Sequence, residues 1–346
     1  MSLMSRTFVS RLGAIGVKTG PALPWFSWSL ASTDHEAKPP QEVSFPEATA
    51  NVEEQDLRHL ISTHVREGRK VFFMGEHHQQ PRVLAAQLTI LDELAKHAEE
   101  AKNPVILVAE QFNVLQRTML QKFCAIPEKP EEGNDREAAA QLMEDYAEDA
   151  GEGFNLSHYM PLLLLARTLR VAVVGGFPPR AWAGIVYREG VDTLKEQKRK
   201  ELETIGFGRW DGLKCSLQHA AYLKSLMSGD SPVLPAGDTE EQPQKALHTA
   251  QAFKDAMLAF TIDEQLRKAP DGAIILVVTG SGHCEYGYGG PERLQKVDRK
   301  ETSILVCKSN QESTVWQGEG WGRDTHDSED RIIADAVFCY DQAQSE

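Results

Sequence analysis

The stretch "AIILVVTGSGHCEYGYGG", Ala273–Gly290, runs an unbroken apolar segment into a glycine-rich turn holding one histidine, two tyrosines and a cysteine. An Ile/Leu/Val run without polar alternation predicts a strand buried on both faces, as in a sheet covered by helices on each side. The same signature recurs in "KVFFMG" (70–75), "PVILVAEQF" (104–112), "RVAVVGG" (170–176), "TSILVCK" (302–308) and "ADAVFCY" (334–340). Helical text separates the first four of these strands in chain order. Leu84, Leu88, Leu91, Leu94 and Ala98 form one apolar stripe that predicts a helix over 81–101, and another helix is expected over 53–67. The alternation predicts an α/β fold with a mainly parallel central sheet flanked by helices. Two stretches, 113–160 and 191–265, exceed what crossovers need. They predict helical insertions and a smaller helical cap subdomain. The acidic run within 113–160 reads as solvated helix surface.

Composition bounds the partners. With 41% hydrophobic and 25% charged residues and a net charge of −14, the chain has the make-up of a globular protein, one ill-suited to nucleic acid or anionic membrane. No run approaches the length of a transmembrane span. The five cysteines (124, 215, 284, 307 and 339) form no C-x-x-C pair and no disulfide framework, which points to a reducing compartment. Residues 1–33 contain Arg6, Arg11 and Lys18, several Ser and Thr, and no acid, the signature of an organelle transit segment. A mitochondrial location is expected first, then plastid, then cytoplasm. Proline-rich residues 34–52 read as a linker, and 53–346 as the folded domain.

Four of the strands end in chemically loaded turns: "GEHH" (75–78), "EQF" (110–112), "GGFPPR" (175–180) and "GSGH" (280–283). In an open parallel sheet the crevice beyond the carboxyl ends of the strands is where ligands bind. Parallel pairing would therefore gather Glu76, His78, Glu110, Arg180 and His283 along one edge. Carboxylates and imidazoles together suit zinc, manganese or iron, or general acid–base work on water. His77 reads equally as a ring stacked on the sheet edge, and Arg180 as a partner for Glu110. Gly75, Gly280 and Gly282 are expected to let the chain turn sharply and bring side chains close to a ligand. A dinucleotide fingerprint is absent, because Glu285 stands where its third glycine belongs. Ser281 lacks the flanking glycines of a nucleophile elbow.

The blocks "VFFMGEHHQQPRVLAAQLTIL", "VILVAEQF", "HYMPLLLLARTLRVAVVGGFPPR", "TAQAFKDAMLAF" and "VVTGSGHCEYGYGGPERL", in that order, resemble the ChaN-like haem-binding uptake family of the Tiki superfamily over roughly 55–340. The resemblance implies an α/β fold with a helical part and a site built from Gly75, Glu76, His78, Glu110, Gly280 and His283. It implies haem or iron-porphyrin binding, with His78, His283, Tyr286 and Tyr288 as candidate axial ligands and Phe112, Phe177 and Trp182 as slot-lining residues. The same superfamily contains Tiki and erythromycin-esterase-like hydrolases. The alternative is thus a metal-dependent hydrolase acting on a small molecule or peptide. In that case Glu76 or Glu110 is the base, and Glu76, His78, Glu110 and His283 hold zinc or manganese. The chain could also pair with a second copy. Two departures stand out: no histidine follows His78 until His97, and the first cysteine is Cys124, so the lipobox cysteine of bacterial members is missing.

Overall fold

The computed structural model describes residues 52–126, 134–148, 153–209, 216–228, 246–309, 320–322, 325 and 332–340. The transit-type segment and nearly all of the linker lie outside these residues, as do parts of both insertions. Seven strands form one sheet: β1 (Val71–Glu76), β2 (Val105–Asn113), β3 (Ala172–Phe177), β4 (Ile274–Gly280), β5 (Thr302–Ser309), β6 (Gly320–Gly322) and β7 (Ala336–Tyr340). Their spatial order is β3-β2-β4-β1-β5-β7-β6. Every neighbouring pair is parallel except β6–β7, which is antiparallel. The expected mainly parallel α/β sheet is what the chain forms.

The period-2 alternation of strand side chains splits the core in two. Phe72, Met74, Leu107, Leu276, Val278 and Leu305 face one side. There they meet α1 (Val52–Arg66), α2 (Pro81–Ala101), α3 (Arg117–Cys124), α4 (Asn134–Glu148) and α5 (Leu156–Thr168). Phe73, Ile106, Val108, Ile275, Val277 and Ile304 face the other side, against Leu258 and Ile262 of α10 (Ala246–Lys268). A third cluster ties α10 to α6 (Arg180–Glu189), α7 (Val191–Gln197) and α8 (Arg199–Ile205) through Trp182, Leu194, Leu202, Phe253 and Met257. Each fully buried Leu, Ile, Met or Phe contributes about 1.5–3 kcal/mol, so both faces must be covered for the sheet to stand. The acidic helix α4 still buries Ala139, Leu142 and Tyr146. Helix α9 (Leu217–Ser228) buries Tyr222 and His219 and leaves Leu226 exposed.

Connection geometry places the crevice. The chain leaves β1 through α2, passes β4's position to reach β2 and β3, then returns by α6–α10 to insert β4 beside β1. Glu76 and Gly280 thus end up side by side in register at the carboxyl edge. Helix α2 begins with Pro81 in the first turn, where its missing N–H costs nothing. It ends at Lys102, whose left-handed φ of 56° lets its N–H cap Ala98 and Glu99.

Candidate functional site

Glu76 closes β1 and is 3% exposed. Its Oε1 accepts from Tyr159 Oη (2.6 Å), His78 Nδ1 (2.8 Å) and Gln111 Nε2 (3.2 Å), and its Oε2 accepts from Gln87 Nε2. Burial and the adjacent Glu76 charge push the Tyr159 phenol well above its ordinary range, so it stays a donor. His78 itself keeps 42% of its side chain exposed. Burial lowers its pKa, but the Glu76 hydrogen bond and the Glu110 and Glu76 charges prevail and raise it to about 8.

Glu110 of β2 is 5% exposed. Its Oε2 accepts from Thr279 Oγ1 (2.7 Å) and the Gly280 amide (2.6 Å), while Oε1 lies 3.9 Å from His283 Nε2. Burial works against its ionisation, yet the charges of His283, His78 and Lys254 hold its pKa below the usual carboxylate value. His283 donates from Nδ1 to Asp255 Oδ1 at 2.6 Å, and Asp255 is fully buried on α10. Asp255 Oδ2 reaches His219 Nε2 (3.5 Å), and His219 Nδ1 reaches Glu292 (2.9 Å). Burial opposes the Asp255 charge, but His283 outweighs it and depresses the pKa.

The site therefore presents two imidazoles, each clipped at Nδ1 by a buried carboxylate. Such a clip fixes ring orientation and leaves Nε2 as the atom that ligates or exchanges a proton. For His78 that atom lies beside Gly280: a Cβ there would stand 3.3 Å from Nε2 and Cε1 and 3.6 Å from Glu110 Oε2.

Glycine's role here differs from the expected sharp turn. Gly280 has φ −57°, open to any residue, and it is Gln79, at φ 62°, that turns the chain after β1. The glycines are needed for space. A Cβ on Gly75 would lie 2.7 Å from Cys284 Sγ and 3.0 Å from Ser281 Cα.

The remaining expected residues are placed differently. Tyr286 stacks on Tyr288 (5.9 Å) and meets the edge of Tyr222 (5.2 Å), while Tyr288 stacks on His219 (6.1 Å). Both tyrosines are half-buried in an aromatic group with α9. Arg180 is exposed at the first position of α6, and His77 bonds to Tyr340 Oη at 2.8 Å. Phe112, Phe177 and Trp182 are all buried in core clusters, so none of the three opens onto a slot. The rings that touch the imidazoles are Phe177, edge-on to His283 at 4.8 Å, and Phe154, edge-on to His78 at 5.1 Å. Leu226, exposed, overhangs Gly282. Glu285 is buried and held by Lys308 (2.5 Å) and Tyr222 (2.6 Å).

Tyr159, Gln87, Phe154 and Asp255 escaped sequence reasoning. Only Asp255 left a signal, as a carboxylate inside the apolar stretch "AFKDAMLAF".

Both Glu76 oxygens are already taken, and among the described residues no three His, Cys, Asp or Glu side chains converge to hold a metal ion. A separate cleft of about 950 Å³, lined by Lys195, Arg199, Phe260 and Arg267 among others, lies elsewhere. Along α10 it runs from Phe260 to Arg267, five to twelve residues beyond Asp255, and the convergent polar groups lie at the strand ends.

Among solved structures, ChaN of Campylobacter jejuni, described with cofacial haem, superposes with a TM-score of 0.52 at 14% identity, covering 84% of this chain and 92% of that one. The erythromycin esterase EreC gives a TM-score of 0.38 at 13% identity, covering 72% of each chain. An orotidine 5'-phosphate decarboxylase of Rhodopseudomonas palustris is 27% identical over 110 residues, 30% of this chain and 45% of that protein. The chain thus spans less than half the length of this curated relative. Residues 64–294, more than half of the chain, match the model of haem-binding uptake proteins of the Tiki superfamily. The chain belongs to that family, the ChaN family.

Proposed function

We propose that this protein binds haem or a related iron porphyrin in the crevice beyond the carboxyl ends of β1, β2 and β4, with His78 Nε2 as the iron ligand. The observation that carries this is the state of His78. It is the exposed member of the two clipped imidazoles, and its Nδ1 is held by Glu76, which leaves the other nitrogen for a ligand. Phe154, edge-on to His78, and the exposed Leu226 supply apolar surface for a flat ring system. Family membership and the cofacial haem named for the C. jejuni relative support the same ligand. When bound, the iron supplies axial coordination and redox or carrier chemistry, and the protein's part is to present one oriented nitrogen and exclude water. Titration of the full chain with haemin should give a shifted Soret band that His78→Ala abolishes or moves. An unchanged spectrum in His78→Ala removes His78 as the ligand.

One observation favours a second reading, acid–base hydrolysis at His283. Buried Asp255 fixes that ring with Nε2 facing Glu110, the arrangement of a general base and its orienting carboxylate. Esterase or peptidase turnover by haem-free protein, lost in Asp255→Asn, would favour it. Absence of turnover on a broad ester and peptide panel would dismiss it.

A further inference from the structure

Lys254 stands one residue before Asp255 on α10, with its ammonium 5.7 Å above the centre of the Phe177 ring. Phe177 ends β3 and its ring abuts His283 at 4.8 Å, so the cation lies at the same strand-end crevice as the imidazoles. The Lys254 charge is felt at both His78 and Glu110, on β1's exit and on β2. Glu110 has Oε2 held by Thr279 and the Gly280 amide, and its Oε1 faces His283. An ammonium on a four-carbon arm above an aromatic face is half desolvated, which strengthens any hydrogen bond it makes to an anion. Phe154, against His78, and the exposed Leu226, over Gly282, add apolar surface at the same strand ends. Buried Glu76 and Glu110 set a limit on the anion: two carboxylates nearby repel a dianionic phosphate more strongly than a single carboxylate.

We infer that Lys254 is the carboxylate-recognition residue of this crevice, selecting a flat apolar ligand that carries a carboxylate at its edge. The inference rests on the haem reading above, in which a propionate is that carboxylate. Lys254 would hold the ligand's rim while His78 meets its centre, fixing the ring plane at two separated points.

The test compares iron protoporphyrin IX with its dimethyl ester, titrated into the full chain in one detergent-containing buffer and followed at the Soret band. Wild type should prefer the free acid by roughly tenfold, the order of one charge-assisted hydrogen bond. Lys254→Met keeps the aliphatic arm and should bind acid and ester alike. Lys254→Arg should restore the preference, which loss of packing alone would not predict. Equal binding of acid and ester by wild type, or an undiminished preference in Lys254→Met, overturns the role of Lys254 and leaves haem binding standing. Failure of wild type to bind either form overturns both.

Discussion

Glu76→Gln isolates the hub of the site, because the substitution keeps shape and removes only charge and one acceptor. Four donors converge on the carboxylate: Tyr159, His78 and Gln111 on Oε1 and Gln87 on Oε2. The new amide nitrogen takes the Oε2 position and faces Gln87. Gln87 has its own Oε1 buried without a partner, so an amide flip turns that contact back into a hydrogen bond. All four bonds survive but lose their charge assistance. Each falls from about 1.5–3 to about 0.5–1.5 kcal/mol. The expected loss is about 1 kcal/mol per bond, or about 4 kcal/mol in all. At roughly 2 °C per kcal/mol for a large domain, the melting temperature should drop by about 8 °C in scanning calorimetry. His78 loses its anionic clip at the same time, and weakening such an outer partner reduces metal affinity by about 10–100-fold. Tyr159→Phe is the control. It removes one donor that does not touch the His78 ring, so it should cost stability and leave haem affinity near wild type. A Glu76→Gln protein that melts within a degree of wild type and binds haemin equally well refutes the carboxylate hub.

The raised pKa of His78, about 8 against an ordinary 6.5, fixes the sign of two pH effects. The His78–Glu76 pair contributes stability in full below about pH 6.5, which is lost as pH rises through 8. Ligation needs the bare nitrogen, so haemin affinity should instead climb up to about pH 8 and then level; a flat profile in Soret titrations assigns the iron ligand elsewhere. Gly75→Ala drives a methyl to 2.7 Å from Cys284 Sγ and 3.0 Å from the Ser281 backbone, and should destabilise by about 1–3 kcal/mol in urea melts. Adding Cys284→Ala should recover only part, because the backbone contact remains. Lys308→Met strands buried Glu285 with Tyr222 alone and should cost about 3–5 kcal/mol, with Glu285→Gln in the same chain restoring much of it. An equally unstable double variant would show that packing, not charge, is at stake.

The sheet was legible because a strand covered on both faces has to be apolar throughout, and such runs stand out in a chain with 25% charged residues. Helix α2 was legible to its ends, since Pro81 starts it and the stripe closes at Ala98, just before the left-handed Lys102. Strand β6 was not. Its three residues, Gly320–Gly322, offer no apolar run, and it exists only because β7 provides an edge. In the site, the residues at strand ends were readable because topology alone carries them to one edge. Tyr159 and Asp255 were not, because they arrive from helices 83 and 28 residues away from their partners. Tyr286 and Tyr288 read as ligands in a loop. In the fold they are occupied with Tyr222 and His219 of α9, a segment whose position no local pattern encodes.

The two carboxylates of the crevice are satisfied by different donors, and that difference sets what the site can accept. Glu76 is met by two amides, a phenol and one imidazole, Glu110 by a hydroxyl and a backbone amide, with a second imidazole 3.9 Å off. Neither needs a metal ion for its hydrogen bonds. The unbalanced negative charge is answered by His78, which holds its proton to about pH 8, and by Lys254 above Phe177. An incoming bare cation would have to compete with both. Ferric haem brings a cationic centre and anionic propionates apart from each other in one plane. Under the proposed reading, His78 would hold the iron through its deprotonated Nε2 and Lys254 would meet a propionate, so the two charges of the ligand would fall on separate groups. On that proposal, the separation of charge, more than any single residue, would favour a porphyrin over a free metal ion.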